Sequence, residues 1–460
     1  MSDSKPKPKL AKEWKTPPEA TEANSNPADD SPPSFETLDA FFDPDSQSYY
    51  RRNEASEYQK ASIGSISRYL RSLGFSSKTA EGQTLSAKDR AIEYIETHCK
   101  VDYAGSLAGQ SVGFREIRGR KILVTDSPRL IEPKAGKWET LRAVFEGLLG
   151  AEQSGQLYAW LKFAIASLRA GELRGGQAIV IAGPAGCGKS LCQAIITQLL
   201  GGREAKPFAA MTGKTDFNSE LFGAEHLMIE DEAASADPRV RKTFGHEIKK
   251  VTANKGERCH KKNREAFMLF PFWRLSITLN DDAGSLQVLP QFEDAIRDKV
   301  TLFKATPFRM PVDTSRSDGE DLLWRALMDE LPAFVDHLLN LFEIPADWID
   351  SRFGVLAYHN PDLLEMIDST SDEYKMLELI DGAKELFDLD SCESWEGKAS
   401  AVEEKLIDHY RVTARRLFSY NSACGQMLAL LKAKTKRVTS RKLEGYTLWT
   451  ITAPPSKWQD

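Results

Sequence analysis

The most explicit chemistry in this sequence lies in Gly183-Pro184-Ala185-Gly186-Cys187-Gly188-Lys189-Ser190, which fits G-x-x-x-x-G-K-[ST]. Ala178 to Ala182 before it is a short apolar run rich in β-branched residues, and Leu191 to Leu200 after it carries apolar residues at helical spacing. Strand, glycine loop and helix is the setting this motif requires. Its glycines let successive backbone N–H groups curl inward around phosphates, and the positive end of a helix beginning near Lys189 adds to the attraction. The stretch Gly183–Leu191 is therefore the expected nucleotide cradle. Lys189 would reach the β- and γ-phosphates of ATP, and the Ser190 hydroxyl would ligate Mg²⁺.

About forty residues downstream, an apolar run through Leu227, Met228 and Ile229 ends in Glu230-Asp231-Glu232. Carboxylates at the end of a strand suit a second Mg²⁺/water site, where one acid holds the metal and its neighbour orients or deprotonates the attacking water. Three adjacent acids leave the register open: Glu230 and Asp231 follow the run most directly, with Asp231 facing the metal, while Asp231 and Glu232 would also serve. A further strand, Arg274 to Leu279, ends at Asn280, whose amide is placed to contact the γ-phosphate or the attacking water.

These residues need a substantial scaffold. At 460 residues the chain is expected to hold two or three domains. Hydrophobic residues at 41% and charged residues at 28% are ordinary for a globular protein, and the net charge of −6 leaves any nucleic-acid contact to local patches. No apolar run suits a membrane span or a signal peptide, so a cytosolic protein without membrane contact is expected. Six cysteines without C-x-x-C pairs argue for reduced thiols rather than disulfides or zinc.

Along the chain, residues 1–34 read as a disordered tail and residues 35–150 as a small mixed α/β domain. Helices are expected at Ile63–Leu73, Ala87–His98 and Trp138–Leu149, with strands at Tyr49–Arg52 and Lys121–Thr125. Asp43, Asp45, His98 and Asp126 follow the order of a primase active site. Pro44 would interrupt the strand such a site needs, so a structural or substrate-gripping role is favoured for this domain. Residues 151–345 form the expected nucleotide core, led in by a helix over Gln156–Leu168 and closed by an amphipathic helix over Asp321–Phe342, with Pro332 as its break. Within residues 346–460, helices over Val402–Leu417 and Ala423–Leu431 precede a run with six basic residues in eleven, Lys432, Lys434, Lys436, Arg437, Arg441 and Lys442. A glycine turn and the strand Thr447–Ile451 follow. That is the layout of a winged helix, and the basic run, apart from Lys432, is assigned to DNA.

Between the acids and the Arg274 strand, residues 249–264 are basic and broken by Gly256, as in a hairpin that pushes positive charge out of the core. The order of phosphate loop, acid-ended strand, basic hairpin and strand ending in Thr-x-Asn resembles the superfamily 3 helicases, the AAA+ branch found in viral, phage and mobile-element replication proteins. With F-x-x-E-L-F before the acids and P-F-W-R-L-S-I-T-L-N-D after the hairpin, the chain is most similar to phage-type primase-helicases. The resemblance covers about Gly171 to Phe308 and implies an α/β AAA+ P-loop ATPase core. It further implies roles for Lys189 and Ser190 at phosphate and metal, Glu230 and Asp231 at metal and water, Asn280 as sensor, and a DNA-tracking hairpin tip on His260, Lys261, Lys262 and Arg264.

The family also inserts an arginine finger into the neighbouring subunit. Here alignment puts Lys299 at that position, while the chemistry favours Arg297, whose planar fork matches phosphate better. The plainer alternative is that Arg297 pairs with Asp294 or Asp298 on its own helix. The function implied is an ATP-dependent ring helicase, a hexamer, moving on single-stranded or forked DNA in phage, plasmid or mobile-element replication beside a separate primase or initiator. A second reading is a DNA-binding AAA+ switch or loader that does not unwind; a third is a primase-helicase with a degenerate primase part.

Overall fold

Strand β1 (Ala178–Ala182) is buried at every position and divides its side chains between two cores. Ala178, Val180 and Ala182 join one apolar cluster, and Ile179 and Ile181 join the other. This is the period-2 alternation of a strand covered on both faces, which is why its sequence is continuously apolar. In the computed structural model, β1 pairs in parallel with β4 (Arg274–Leu279) and β5 (Val300–Lys304). β4 pairs with β3 (His226–Glu230), and β3 with the short β2 (Glu204–Ala205). The sheet order is β5-β1-β4-β3-β2. The structure describes residues 34–454, except 233–237, 263–264, 291, 293, 370, 390–393 and 419–421. The expected tail thus lies almost wholly outside the described residues.

One face of the sheet is covered by the helix Lys189–Leu199 and by two longer helices, Glu139–Arg169 and Gly319–Asp336. Gly150, at φ 74° and ψ 163°, breaks the first of these into the two expected pieces. Pro332 does not end the second, which runs on through it to Asp336. Pro332 instead offers its carbonyl to the Lys134 N–H at 3.0 Å. The other face packs against the helix Pro238–Ala253 through Phe244, Ile248 and Val251.

The expected domain boundaries fall inside packed layers. Residues from Leu38 to Ile95 build a separate small core around a three-stranded sheet and two helices. A second three-stranded sheet, Tyr103–Gly105, Gly113–Ile117 and Arg120–Val124, sends Tyr103, Ile122 and Val124 into the core around the parallel sheet instead. Trp138 to Leu149 belongs to the other face, so residues 101–150 are largely part of the central unit. Beyond 345, Leu363 and Ile367 also pack into the central core.

An independent C-terminal core begins at Met376. Its order is helix Asp372–Gly382, strand Ser394–Gly397, helices Ala399–Tyr410, Val412–Leu417 and Ala423–Lys434, then strands Val438–Leu443 and Tyr446–Thr452. Tyr446–Thr452 is the central strand of this antiparallel sheet. Gly445, at φ 85°, makes the tight turn between the last two strands. Among the described residues no helix is long and apolar enough to cross a membrane.

Candidate nucleotide and nucleic-acid sites

The loop after β1 is shaped by its glycines. A Cβ on Gly183 would collide with the Ala305 carbonyl. Gly186 and Gly188 sit at φ 73° and 105°, where an L side chain costs about 1–2 kcal/mol. Pro184, Ala185 and Gly186 form the exposed rim, Cys187 is buried beneath it, Ser190 is exposed on the first helical turn, and Leu191 packs against the core. Lys189 is only 6% exposed. Its ammonium donates to the Gly183 and Pro184 carbonyls, at 2.8 Å each, and to Asn280 Oδ1 at 3.4 Å. Among the described residues no carboxylate pairs with it. A buried cation held only by neutral oxygens is a site waiting for an anion, and the glycine loop beside it suits phosphate. The residues present therefore fit the phosphates of a nucleotide.

Strand register brings the remaining groups to the same edge. Ala182 lies opposite Leu279, and Glu230 opposite Thr278, so Lys189, Asn280 and Glu230 gather at the carboxyl end of the parallel sheet, where such folds bind ligands. Glu230 is the last residue of β3 and is partly exposed. Asp231, at φ 39°, donates its N–H to Thr278 O at 3.1 Å and turns the chain outward; Asp231 and Glu232 are both exposed. Sequence reading overlooked Lys206, whose ammonium lies 3.1 Å from the Glu230 carboxylate and whose pKa that hydrogen bond raises. A lone lysine after a two-residue strand carries no motif that would have marked it.

Beneath this edge a buried polar network fixes the helix to the strands. Gln193 donates to Ser276 Oγ at 2.8 Å and to the Ile229 carbonyl at 3.3 Å, and accepts from Thr278 at 3.1 Å. His226 bridges Thr197 and Ser276, at 2.7 Å to each, and burial pushes its pKa down to about 3. It is therefore neutral at physiological pH and acts as a hydrogen-bonding spacer.

The two finger candidates differ in exposure. Arg297 ends the helix Asp294–Arg297, donates Nε to Phe292 O at 3.1 Å, and is 37% exposed at its side chain. Among the described side chains its carboxylate neighbour is Asp368, at 3.7 Å, rather than Asp298; the Asp294 side chain lies outside them. Lys299 is 8% exposed and is held by Asp298 at 2.5 Å.

The basic hairpin is Glu257–Cys259 paired with Phe267–Leu269. His260, Lys261 and Lys262 follow its first strand; Arg264 lies outside the described residues. Lys261 stacks its ammonium 4.3 Å over the Tyr103 ring, while Lys262 is exposed.

The C-terminal basic run splits in two. Lys434 is bound by Asp368 at 2.8 Å and Glu373 at 2.9 Å, and Arg437 by a bidentate contact to Asp381 at 2.8 and 2.6 Å. These two, assigned to DNA from the sequence, are occupied within the fold. Lys436 and Lys442 are exposed, and Arg441 makes an exposed pair with Glu396 at 2.9 Å. The primase-like set is likewise absorbed: Asp43 caps its own turn through Asp45 N and Ser46, His98 stacks on Tyr94, and Asp126 is ion-paired to Arg203 at 2.8 Å.

The arrangement has solved counterparts. An apo structure of the NrS-1 C terminal region (305-718) superimposes with a TM-score of 0.54 at 12% identity, covering 90% of this chain and 96% of that one. The chain has that fold. A second apo structure, the A form of the same region, gives 0.51 at 14% identity over the same shares. The SCCmec type IV Cch helicase matches at a TM-score of 0.39 and 12% identity, over 90% of this chain and 92% of that one. No family model and no curated protein matches the sequence. The extent of the NrS-1 match, from the N-terminal module through the C-terminal one, goes well beyond the Gly171–Phe308 stretch that carries the sequence motifs.

Proposed function

We propose that this protein is a superfamily 3-type AAA+ ATPase that separates DNA strands. The observation that carries the reading is the buried Lys189 ammonium, with no carboxylate on it among the described residues, meeting Asn280 inside a glycine loop, on the sheet edge that also bears Glu230. In this reading the loop amides and Lys189 hold the ATP phosphates, and Ser190 and Asp231 hold Mg²⁺, which supplies charge neutralisation to the transferring phosphoryl group. Glu230 orients the attacking water, and Asn280 fixes the γ-phosphate side. Arg297 is the finger offered to the neighbouring protomer of a ring, taken as a hexamer, because it reaches the surface and Lys299 does not.

The hairpin meets single-stranded DNA inside that ring. The C-terminal unit is a winged helix by its element order, and its exposed Lys436, Arg441 and Lys442 add affinity for single-stranded or forked DNA. Phage, plasmid or mobile-element replication, with a separate primase or initiator and in the host cytosol, is the setting that the motif order suggests.

Strand displacement on a forked duplex with ATP and Mg²⁺ tests the reading. The expected result is ATP-dependent release of the displaced strand that is lost when Lys261 and Lys262 are both changed to Ala. ATP hydrolysis without any displacement would favour the switch or loader instead.

A further inference from the structure

The two strands of the hairpin pair over only three residues each. An isolated two-stranded ribbon of that length is not stable in water, so something else must hold it. Cys259 and Leu269 root it in the central core, and Asn218 grips the outer edge of its first strand. Its side-chain amide donates to the Arg258 carbonyl at 2.9 Å, and its side-chain oxygen accepts the His260 N–H at 2.8 Å. Its own N–H reaches the His260 carbonyl at 3.4 Å. Arg258 and His260 are two apart, so their main-chain groups face the same edge of the strand, the one turned away from Phe267–Leu269. Asn218 satisfies that edge chiefly through its side-chain amide. Asn suits the task because one planar amide carries both a donor and an acceptor; Asp keeps only the acceptor.

The other side of Asn218 leads to the nucleotide site. It immediately precedes the turn Ser219–Gly223, whose Leu221 and Phe222 are buried. Two residues later the chain enters β3, which ends at Glu230. The Trp273 ring N–H donates to Leu221 O at 3.0 Å, so the same turn is also pinned at the entrance to β4, the strand that ends at Asn280. The segment that grips the hairpin is thus continuous with one nucleotide-site strand and hydrogen-bonded at the root of the other.

We infer that Asn218 is a positioning residue that couples the nucleotide site to the hairpin: it is the clasp through which displacement of β3 and β4 during the ATP cycle reaches the strand carrying Arg258 and His260. The inference rests on the proposed reading of the hairpin as the DNA-contacting element.

The test compares full-length wild type, Asn218→Ala and Asn218→Asp in two measurements. The first is the ratio of ATPase rates with and without a single-stranded oligonucleotide. The second is limited trypsin cleavage after Lys261 and Lys262, with and without Mg²⁺ and a non-hydrolysable ATP analogue. For Asn218→Ala the expected result is a stimulation ratio near one and a cleavage rate that no longer responds to nucleotide. Asn218→Asp should fall between this and wild type. Wild-type stimulation and a wild-type nucleotide response in Asn218→Ala would overturn the clasp. So would a lower DNA-free rate with the ratio preserved, which is the mark of a merely structural residue. If wild-type ATPase ignores DNA, the DNA-motor reading fails on that result alone, while the nucleotide dependence of cleavage still decides whether Asn218 couples the site to the hairpin.

Discussion

Lys189 and Lys434 are both lysines withdrawn from solvent, yet their surroundings are opposite. Lys189 meets two carbonyls and an amide, with no carboxylate among the described residues. Lys434, with 16% of its side chain accessible, meets two carboxylates at 2.8 and 2.9 Å. Burial alone would lower the Lys434 pKa, but the hydrogen bonds to Asp368 and Glu373 more than offset it, and the pKa is raised. The difference separates a cation placed for a ligand from one spent on the fold. A desolvated charge is costly without a counter-charge, and the proposed reading assigns that part at Lys189 to phosphate. The contrast also distinguishes the two basic regions. Lys262 of the hairpin is exposed, whereas two of the five C-terminal residues assigned to DNA, Lys434 and Arg437, are neutralised from within.

The largest effect that would break this comparison is at Lys189. Lys189→Ala removes the charge opposite the transferring phosphoryl group, and ATP turnover should be abolished. The folded structure should survive, since no acid is left unpaired. Turnover close to wild type would show that the acid-free lysine is not waiting for phosphate. Single amide changes at Glu230, Asp231 and Glu232 sharpen the same point. Glu230→Gln and Asp231→Asn are expected to be severe and Glu232→Gln mild, because β3 ends at Glu230. Greatest damage from Glu232→Gln would shift the register.

Next in size is the contact between protomers. An arginine finger contributes on the order of 10³-fold or more to turnover. Arg297→Ala should therefore bind ATP but hydrolyse it poorly, and excess Lys189→Ala protein should restore part of the turnover, because each such protomer still offers Arg297 to a neighbour whose Lys189 is intact; no restoration would mean that Arg297 does not act across the contact. Lys299→Ala should instead lose stability, because its ammonium is buried against Asp298. A variant pair with wild-type Arg297→Ala and a well-folded, inactive Lys299→Ala would transfer the role.

How far these sites could be read from sequence follows from how local their physics is. The phosphate loop is legible because its requirements are consecutive: an apolar strand, glycines at φ 73° and 105°, then a helix start. The acid-ended strand and Asn280 are legible for the same reason. Lys206, Asn218 and the Gln193 network were missed because each acts across 24 to 85 residues of sequence, through pairings with no local signature. Domain limits failed for a related reason. Ile122, Val124, Leu363 and Ile367 look like residues of flanking units until the tertiary fold packs them against the central sheet. Pro332 was misjudged as a break because its helix tolerates the missing N–H.

The smallest effects lie in the C-terminal run, where the comparison predicts that neighbouring basic residues respond differently to the same kind of substitution. Lys434→Met leaves Glu373, nearly fully buried, and Asp368 without their shared cation. Removing one partner of such a buried pair costs about 3–5 kcal/mol, so thermal unfolding should shift down while the salt dependence of DNA binding in the folded protein does not change. Among the described residues no acid pairs with Lys436 or Lys442, and the exposed Arg441–Glu396 pair contributes at most about 1 kcal/mol. Changing Lys436, Arg441 and Lys442 to Ala should therefore leave the unfolding midpoint nearly unchanged. If each contacts one phosphate, counterion release makes the slope of log K against log salt shallower by about 0.9 per lost contact. The slope should accordingly lose about one unit for each residue changed. A Lys434→Met protein that unfolds like wild type but shows the shallower slope would mean that its ion pairs open to receive DNA, and the division between structural and DNA-facing charge would fail at that residue.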